Sequence, residues 1–208
     1  MIRMAQWITS FLERRGAIDT DAREIYVYGA EILLYTFFST MGLLVIGLFM
    51  RCLVETAIII GLFYVNQSTG GGFHAATHTR CFLTMAAGLC ACLAALKWPI
   101  PLLAYALLAC GALFMLWRRP LVLHANKRYL ESKREGLIKR SRRVTGVQAA
   151  ACLLLLVSPL QAYIGAISLG LAASALSRAL VGDALRRRTA NRTGKGAMEA
   201  QKMDKRCG

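Results

Sequence analysis

The chain alternates between long apolar stretches and short polar or charged segments. Six of the apolar stretches are candidate membrane-spanning helices, although the second is short for a crossing. They lie at about residues 29–50, 52–66, 82–96, 102–117, 144–160 and 161–181. This pattern predicts an all-α polytopic membrane protein, because a spanning segment must satisfy its backbone hydrogen bonds without water.

Residues 1–16 have an amphipathic pattern instead. Apolar residues, among them Met4, Trp7 and Phe11, recur at helical spacing, and most of the charged residues lie elsewhere around the helix. We interpret this segment as an amphipathic helix in the membrane interface. A helix that packs its apolar face against loops is the alternative.

The composition agrees with a membrane protein. Apolar residues make up 56% of the chain and the mean hydropathy is +0.47, whereas only 18% of the residues are charged. A soluble nucleic-acid-binding protein would also be basic, but it would spread its lysines and arginines over a folded surface. We therefore expect no nucleic-acid partner. The seven cysteines show no spacing typical of a disulfide framework or a zinc ribbon.

The basic residues are concentrated between the apolar stretches. Residues 118–143 hold ten of the 26 lysines and arginines, and nine more lie from Arg178 onward. With six alternating spans and a cytoplasmic N-terminus, only Arg51 and Lys97 face outward, as the positive-inside rule requires. Both termini are then cytoplasmic.

The basic segments also suggest a partner and a domain boundary. We expect residues 118–143 to form a cytoplasmic loop that binds anionic lipids. Residues 1–185 are predicted to form a single membrane domain. Residues 186–208 are predicted to be a basic, disordered tail, because they hold too few apolar residues to build a core.

A short polar segment between the second and third apolar stretches holds the candidate chemistry. Three glycines at residues 70–72 interrupt any helix that reaches them, and His74, His78 and Cys81 follow. One interpretation is a cysteine nucleophile with a histidine base. A second is a metal site with ligands at i, i+4 and i+7. A third is a re-entrant turn in a non-enzymatic membrane transporter or partner-binding subunit.

Spacing alone does not choose between the two histidines as the base. His78 lies three residues before Cys81, on the same face of a regular helix. His74 lies seven residues before it, which is about 10.5 Å of helical rise, so the chain would have to fold back. The glycines permit that, and Thr77 or Thr79 is a candidate N-cap for the helix that follows.

One family has this arrangement of glycines, histidine and cysteine. The relevant residues are Gly71-Gly72-Phe73-His74-Ala75 and, further on, Cys81. They resemble the signature of the accessory gene regulator B (AgrB) family, whose members are membrane cysteine endopeptidases that process a quorum-sensing propeptide. The resemblance extends over most of the chain and includes Tyr28-Gly29-Ala30-Glu31 and Asn126-Lys127.

The resemblance implies a catalytic pair and a reaction. Cys81 is the implied nucleophile, His74 the implied base, and His78 a neighbour. The substrate would be a short AgrD-like propeptide, cleaved on the cytoplasmic side through an acyl-enzyme on Cys81. A cysteine or serine of the propeptide would then close a thiolactone or lactone ring. The family also implies a homodimer, and no cofactor is expected.

Five further residues have supporting roles. The backbone amides of Gly71 and Gly72 are candidates for an oxyanion hole, although the glycines could equally act only as a hinge. Glu31, near the cytoplasmic end of the first span, is the preferred orienting residue. Gln67 occupies the position, seven residues before the catalytic histidine, where the family usually has an arginine. His78 is included as a neighbour of the pair.

Overall fold

The computed structural model describes residues 2–72, 77–122 and 133–181. Across these ranges the chain is helical and contains no β-strand. The predicted all-α fold class is confirmed. The basic tail at 186–208 and Asn126-Lys127 lie outside the described residues, so the predictions made for them stay predictions.

Helices make up most of the described chain. In chain order they are α1 (Ile2–Arg14), α2 (Arg23–Phe49), α3 (Leu53–Gly70), α4 (His78–Leu96), α5 (Leu102–Arg118), α6 (Arg134–Leu156) and α7 (residues 164–181). Short 3-10 turns at Thr20–Ala22 and Pro159–Tyr163 precede α2 and α7. The predicted break at Ser158-Pro159 is confirmed, and the Ser158 hydroxyl there accepts a hydrogen bond from the Leu160 amide at 3.2 Å.

Three helical segments in the described chain are long and apolar enough to cross a membrane. They are Arg23–Phe49, His78–Leu96 and Pro159–Val181. The apolar helix α5 is shorter. The stretches predicted at 52–66 and 144–160 overlap with α3 and α6. These two helices do not meet that criterion, because α3 ends in polar residues and the first half of α6 is basic. The number of six crossings therefore stays a prediction.

Two helices begin earlier than the apolar pattern predicts. α4 begins at His78 rather than near residue 82, so Cys81 belongs to its first turn. α6 begins at Arg134, inside the segment predicted to be a basic loop. There Arg142 and Arg143 are exposed while Ser141 is buried, so the charged side chains project outward from a helix that still has an inner face.

The helices belong to two compact units. The first contains Met1–Ala57 and Ala75–Leu93, and the second contains Ile58–His74 and Ala94–Gly208. We describe each unit by itself.

In the first unit, α1 packs against α2 through its small residues. Ala5 and Thr9 are buried, and Arg23 at the start of α2 forms a 3.2 Å ion pair with Glu13 of α1. The apolar side of α1 is exposed, with Trp7 71% accessible. The apolar face is therefore not packed on loops within the described chain, which supports the membrane-interface interpretation.

In the second unit, small residues bring the helices close together. The buried core joins α5, α6 and α7 through Ala109, Ala112, Leu116, Cys152, Leu171 and Ala175. A Cβ built on Gly170 of α7 would lie 3.2 Å from the Cα of Ile59 in α3. Close backbone approach of this kind is how helices associate in membranes, where dispersion contacts replace the hydrophobic effect.

We expect Leu171→Ala to destabilise the protein by about 2–5 kcal/mol, because it leaves a cavity among packed helices. Leu176 is the matched control on the same helix, since its side chain is 61% exposed whereas that of Leu171 is 0% exposed. The midpoint of thermal unfolding in detergent should fall for Leu171→Ala and change little for Leu176→Ala. Equal shifts would contradict this description of the core.

Candidate active site

The glycine turn, which we define as residues 70–72, ends α3. The amide of Gly71 donates a hydrogen bond to the carbonyl of Gln67 at 3.0 Å, and Gly71 has a φ of 72°. A left-handed glycine directly after the last helical residue is a common way to end a helix. The Gly71 amide, one of the two candidate oxyanion donors, is thus engaged in ending α3.

The segment that leaves α5 lies against the glycine turn. We call residues 119–122 the exit segment. The Val122 amide donates to the Gly70 carbonyl at 2.9 Å. A Cβ on Gly70 would lie 2.6 Å from the Pro120 carbonyl oxygen, and one on Gly71 would lie 2.6 Å from that of Val122. Both distances are shorter than a carbon–oxygen contact allows, so these positions require glycine.

Gly72 is enclosed by a different pair of neighbours. A Cβ there would overlap the side-chain amide of Gln67 and lie 2.8 Å from the hydroxyl of Ser177 in α7. The Gln67 amide nitrogen lies 3.4 Å from that same hydroxyl. Gln67 is therefore packed between the glycine turn and α7.

Arg178 also reaches the glycine turn from α7. Its side chain is 1% exposed, and its Nη2 donates to the Asn66 carbonyl at 2.7 Å. Arg178 lies within the last described helix, three residues before the final position of that helix, and so belongs to the stretch predicted as the last span. A single arginine at the end of an apolar stretch could have drawn attention to it, but basic residues also accumulate at the cytoplasmic ends of spans.

Cys81 lies in the first turn of α4, and the N-terminus of that helix is capped. The hydroxyl of Thr77 lies 3.4 Å from the Arg80 amide, and its carbonyl accepts a hydrogen bond from the Cys81 amide at 3.0 Å. Of the two candidate N-caps, Thr77 is the one the structure supports. Cys81 is partly exposed. Its neighbour Phe82 contacts α2, where a Cβ on Gly42 would lie 3.1 Å from the phenyl ring.

His78 contacts Tyr35 of α2. The two ring centroids are 4.4 Å apart, and the Tyr35 hydroxyl donates to the His78 carbonyl at 2.6 Å. Sequence reasoning missed Tyr35. Among the predicted site residues, Glu31 is the one on the same helix as Tyr35. It lies one helical turn earlier on α2 and is partly buried.

His74 lies outside the described residues, so its pairing with Cys81 stays a prediction. The metal interpretation also needs His74. Within the described ranges, no three histidine, cysteine, aspartate or glutamate side chains come together in a way that could hold a metal ion.

A family model described as accessory gene regulator B matches residues 5–177. The chain belongs to the AgrB family. The match includes both the glycine turn and Cys81. Comparison with curated proteins and with solved structures found no match to the chain.

Membership of the AgrB family indicates the location of the protein and the signalling system to which it belongs. Together with the three apolar helices, it makes the chain a membrane protein. It also places the chain in the accessory gene regulator system of quorum sensing, in which this family processes propeptides. An AgrD-like propeptide is therefore the partner in general terms.

We expect Gly71→Ala to destabilise the protein, because a left-handed conformation costs an alanine about 1–2 kcal/mol and the exit segment must also shift. Gly61→Ala is the matched control. Gly61 lies within α3 with nothing near its Cβ position, so alanine there should be neutral or slightly stabilising. Thermal unfolding in detergent measures both. A Gly71→Ala protein as stable as the native chain would contradict the described turn.

Proposed function

We propose that this AgrB-family chain is a membrane-embedded cysteine endopeptidase that cleaves a short signalling propeptide. The observation that carries the proposal is the family match, which spans a cysteine in the first turn of a capped helix. Cys81 is the nucleophile and His74 the base. The reaction takes place on the cytoplasmic side, where both chain termini lie.

The surroundings of Cys81 support its role as the nucleophile. The side chain is partly exposed, so a substrate carbonyl can reach the sulfur. Cys81 also lies in the first turn of α4 and next to Arg80 in the sequence. Cys92 and Cys152, in contrast, lie in the interior of apolar helices.

The surroundings of the histidines support His74 as the base. The ring of His78 lies against Tyr35, and the His78 backbone is held by the Tyr35 hydroxyl. His74 follows the glycine turn by two residues, and that turn is fixed by contacts from three sides.

The reaction has two steps. The thiolate of Cys81 attacks a peptide carbonyl of the propeptide while His74 takes the thiol proton. The C–N bond then breaks, His74 protonates the leaving amine, and the acyl group remains on Cys81 as a thioester. A thiol or hydroxyl of the propeptide next attacks the thioester, which closes the ring and releases Cys81.

Water must be excluded while the thioester exists, since hydrolysis would release a linear acid instead of a ring. A site near membrane depth serves that purpose. Among the supporting residues, we assign Gly71 and Gly72 to shaping the turn, because the Gly71 amide already donates to Gln67. Glu31 is the proposed orienting carboxylate.

Two kinds of partner complete the proposal. The basic residues of 118–143 bind anionic lipids at the cytoplasmic leaflet. A second copy of the chain associates with the first as a homodimer, as in the family.

Thiol trapping in membranes tests the catalytic pair. With iodoacetamide at neutral pH, we expect Cys81 to react at least about tenfold faster than the other cysteines, because only it has an activating base. His74→Ala should abolish this difference, whereas His78→Ala should leave it. If only His78→Ala removed the rate difference, His78 and not His74 would be the base. Equal reaction rates for all cysteines would refute Cys81 as the nucleophile.

Processing of a co-expressed AgrD-like propeptide tests the reaction. Cys81→Ala should abolish cleavage, because no other group can carry the acyl intermediate. Cys90→Ala is the matched control on the same helix and should retain full cleavage. Mass spectrometry of the native reaction should show a released C-terminal fragment and an N-terminal product that is lighter by one water than the corresponding linear acid. Cleavage by the Cys81→Ala protein would refute the mechanism.

A further inference from the structure

Arg178 is a buried charge near the end of α7. In the described part of the chain, no carboxylate lies within ion-pair distance of its guanidinium. Its acceptors are neutral oxygens. Nη2 donates to the Asn66 carbonyl at 2.7 Å, and Nη1 lies 3.3–3.4 Å from the oxygens of Arg119, Pro120 and Ser141.

These acceptors belong to three different segments. The Asn66 carbonyl lies in the last turn of α3, where the helix dipole favours a positive charge. The carbonyls of Arg119 and Pro120 are in the exit segment, and the Ser141 hydroxyl is in α6. Arg178 itself lies in α7. One side chain therefore joins four segments at the glycine turn.

The glycine turn leaves the space that the guanidinium occupies. A Cβ on Gly70 would overlap the guanidinium carbon of Arg178 and lie 2.6 Å from the Pro120 oxygen. Arg178 thus fills the position of the missing side chain. It also holds the exit segment, whose Val122 amide donates to the Gly70 carbonyl.

Stability alone is a poor explanation for this arrangement. Burying a charge among neutral acceptors carries a desolvation cost, and well-packed apolar residues often replace buried charges without loss of stability. The Nε atom of Arg178 has no hydrogen-bond partner within the described ranges. An ionisable residue in a candidate span that contacts backbone carbonyls is more typical of a functional site.

We propose that Arg178 is a positioning residue for the reaction: it clamps the glycine turn, which precedes the proposed base His74 by two residues in the sequence, against the exit segment. The inference rests on the proposed function. Within the described residues, the contacts of Arg178 are with the C-terminal part of α3, the exit segment and α6. Arg178 acts through the turn, and its guanidinium geometry matters as well as its charge, because the three donors of a lysine all lie on one nitrogen and cannot reproduce the planar fork of the guanidinium.

Arg178→Lys and Arg178→Gln test this proposal in the full-length protein. We expect kcat for propeptide cleavage to fall at least about tenfold in both variants while KM stays within about twofold, because the base is displaced but substrate binding is not. Trapping of Cys81 by iodoacetamide should slow to the same extent. Hydrogen exchange at the Val122 amide should become faster.

Three control variants separate positioning from general stability. Ser174→Ala removes a buried hydroxyl one turn earlier on α7 that donates only to its own helix, at Gly170. Arg51→Gln removes an exposed arginine between α2 and α3. Both should leave kcat unchanged. Leu171→Ala lowers stability without removing a contact of the glycine turn. An Arg178→Lys protein that is as stable as the Leu171→Ala protein should therefore show the larger loss of kcat.

Each outcome supports or overturns the proposal. A folded Arg178→Lys protein with native kcat would overturn it, and so would a loss of kcat no larger than that of Leu171→Ala. If Arg178→Gln does not fold, Arg178→Lys decides alone. If the Cys81→Ala protein still cleaves the propeptide, the endopeptidase mechanism fails, and the positioning role of Arg178 fails with it. If Cys81→Ala is inactive and Arg178→Lys is fully active, only the positioning role is refuted.

Discussion

The glycine turn exists only because three consecutive positions lack side chains, and each of them is closed in by a different neighbour. Gly70 contacts the buried guanidinium of Arg178, and Gly71 contacts the carbonyl oxygen of Val122. Gly72 contacts the side chains of Gln67 and Ser177. A methyl group at any of these positions would displace a neighbouring segment. The end of α3, the exit segment and the end of α7 therefore share one steric constraint, and none of them can move without the others.

Polar contacts complete this arrangement. Asn66, Ser141 and Arg178 are all almost fully buried, on three different helices. Their hydrogen bonds run mainly to backbone oxygens, which suits a protein in a membrane because each buried donor must find an acceptor within the chain. A rigid turn held in this way provides a fixed point from which the following segment, which includes His74, continues.

The nucleophile depends on a separate local structure. Thr77 begins α4, and its carbonyl and hydroxyl satisfy two amides of the first turn, which places Cys81 at that turn. Tyr35 holds the backbone and ring of His78 at the same end of the helix. In the proposed AgrB-type mechanism, Cys81 therefore comes from a capped helix start, whereas His74 follows the glycine turn in the sequence.

The amino-acid sequence by itself determined the fold class, the family and the candidate pair, because these depend on local features: apolar runs, basic segments and the order Gly-Gly-x-His followed by a cysteine. It also limited the cap of α4 to two threonines. It missed Arg178 and Tyr35, and it left the role of the glycines open between a hinge and an oxyanion hole. Only the tertiary structure brought Arg178 and Tyr35 to these places, because Arg178 is 112 residues from its acceptor Asn66 and Tyr35 is 43 residues from His78. Contacts over such distances depend on how helices pack, which no local pattern records.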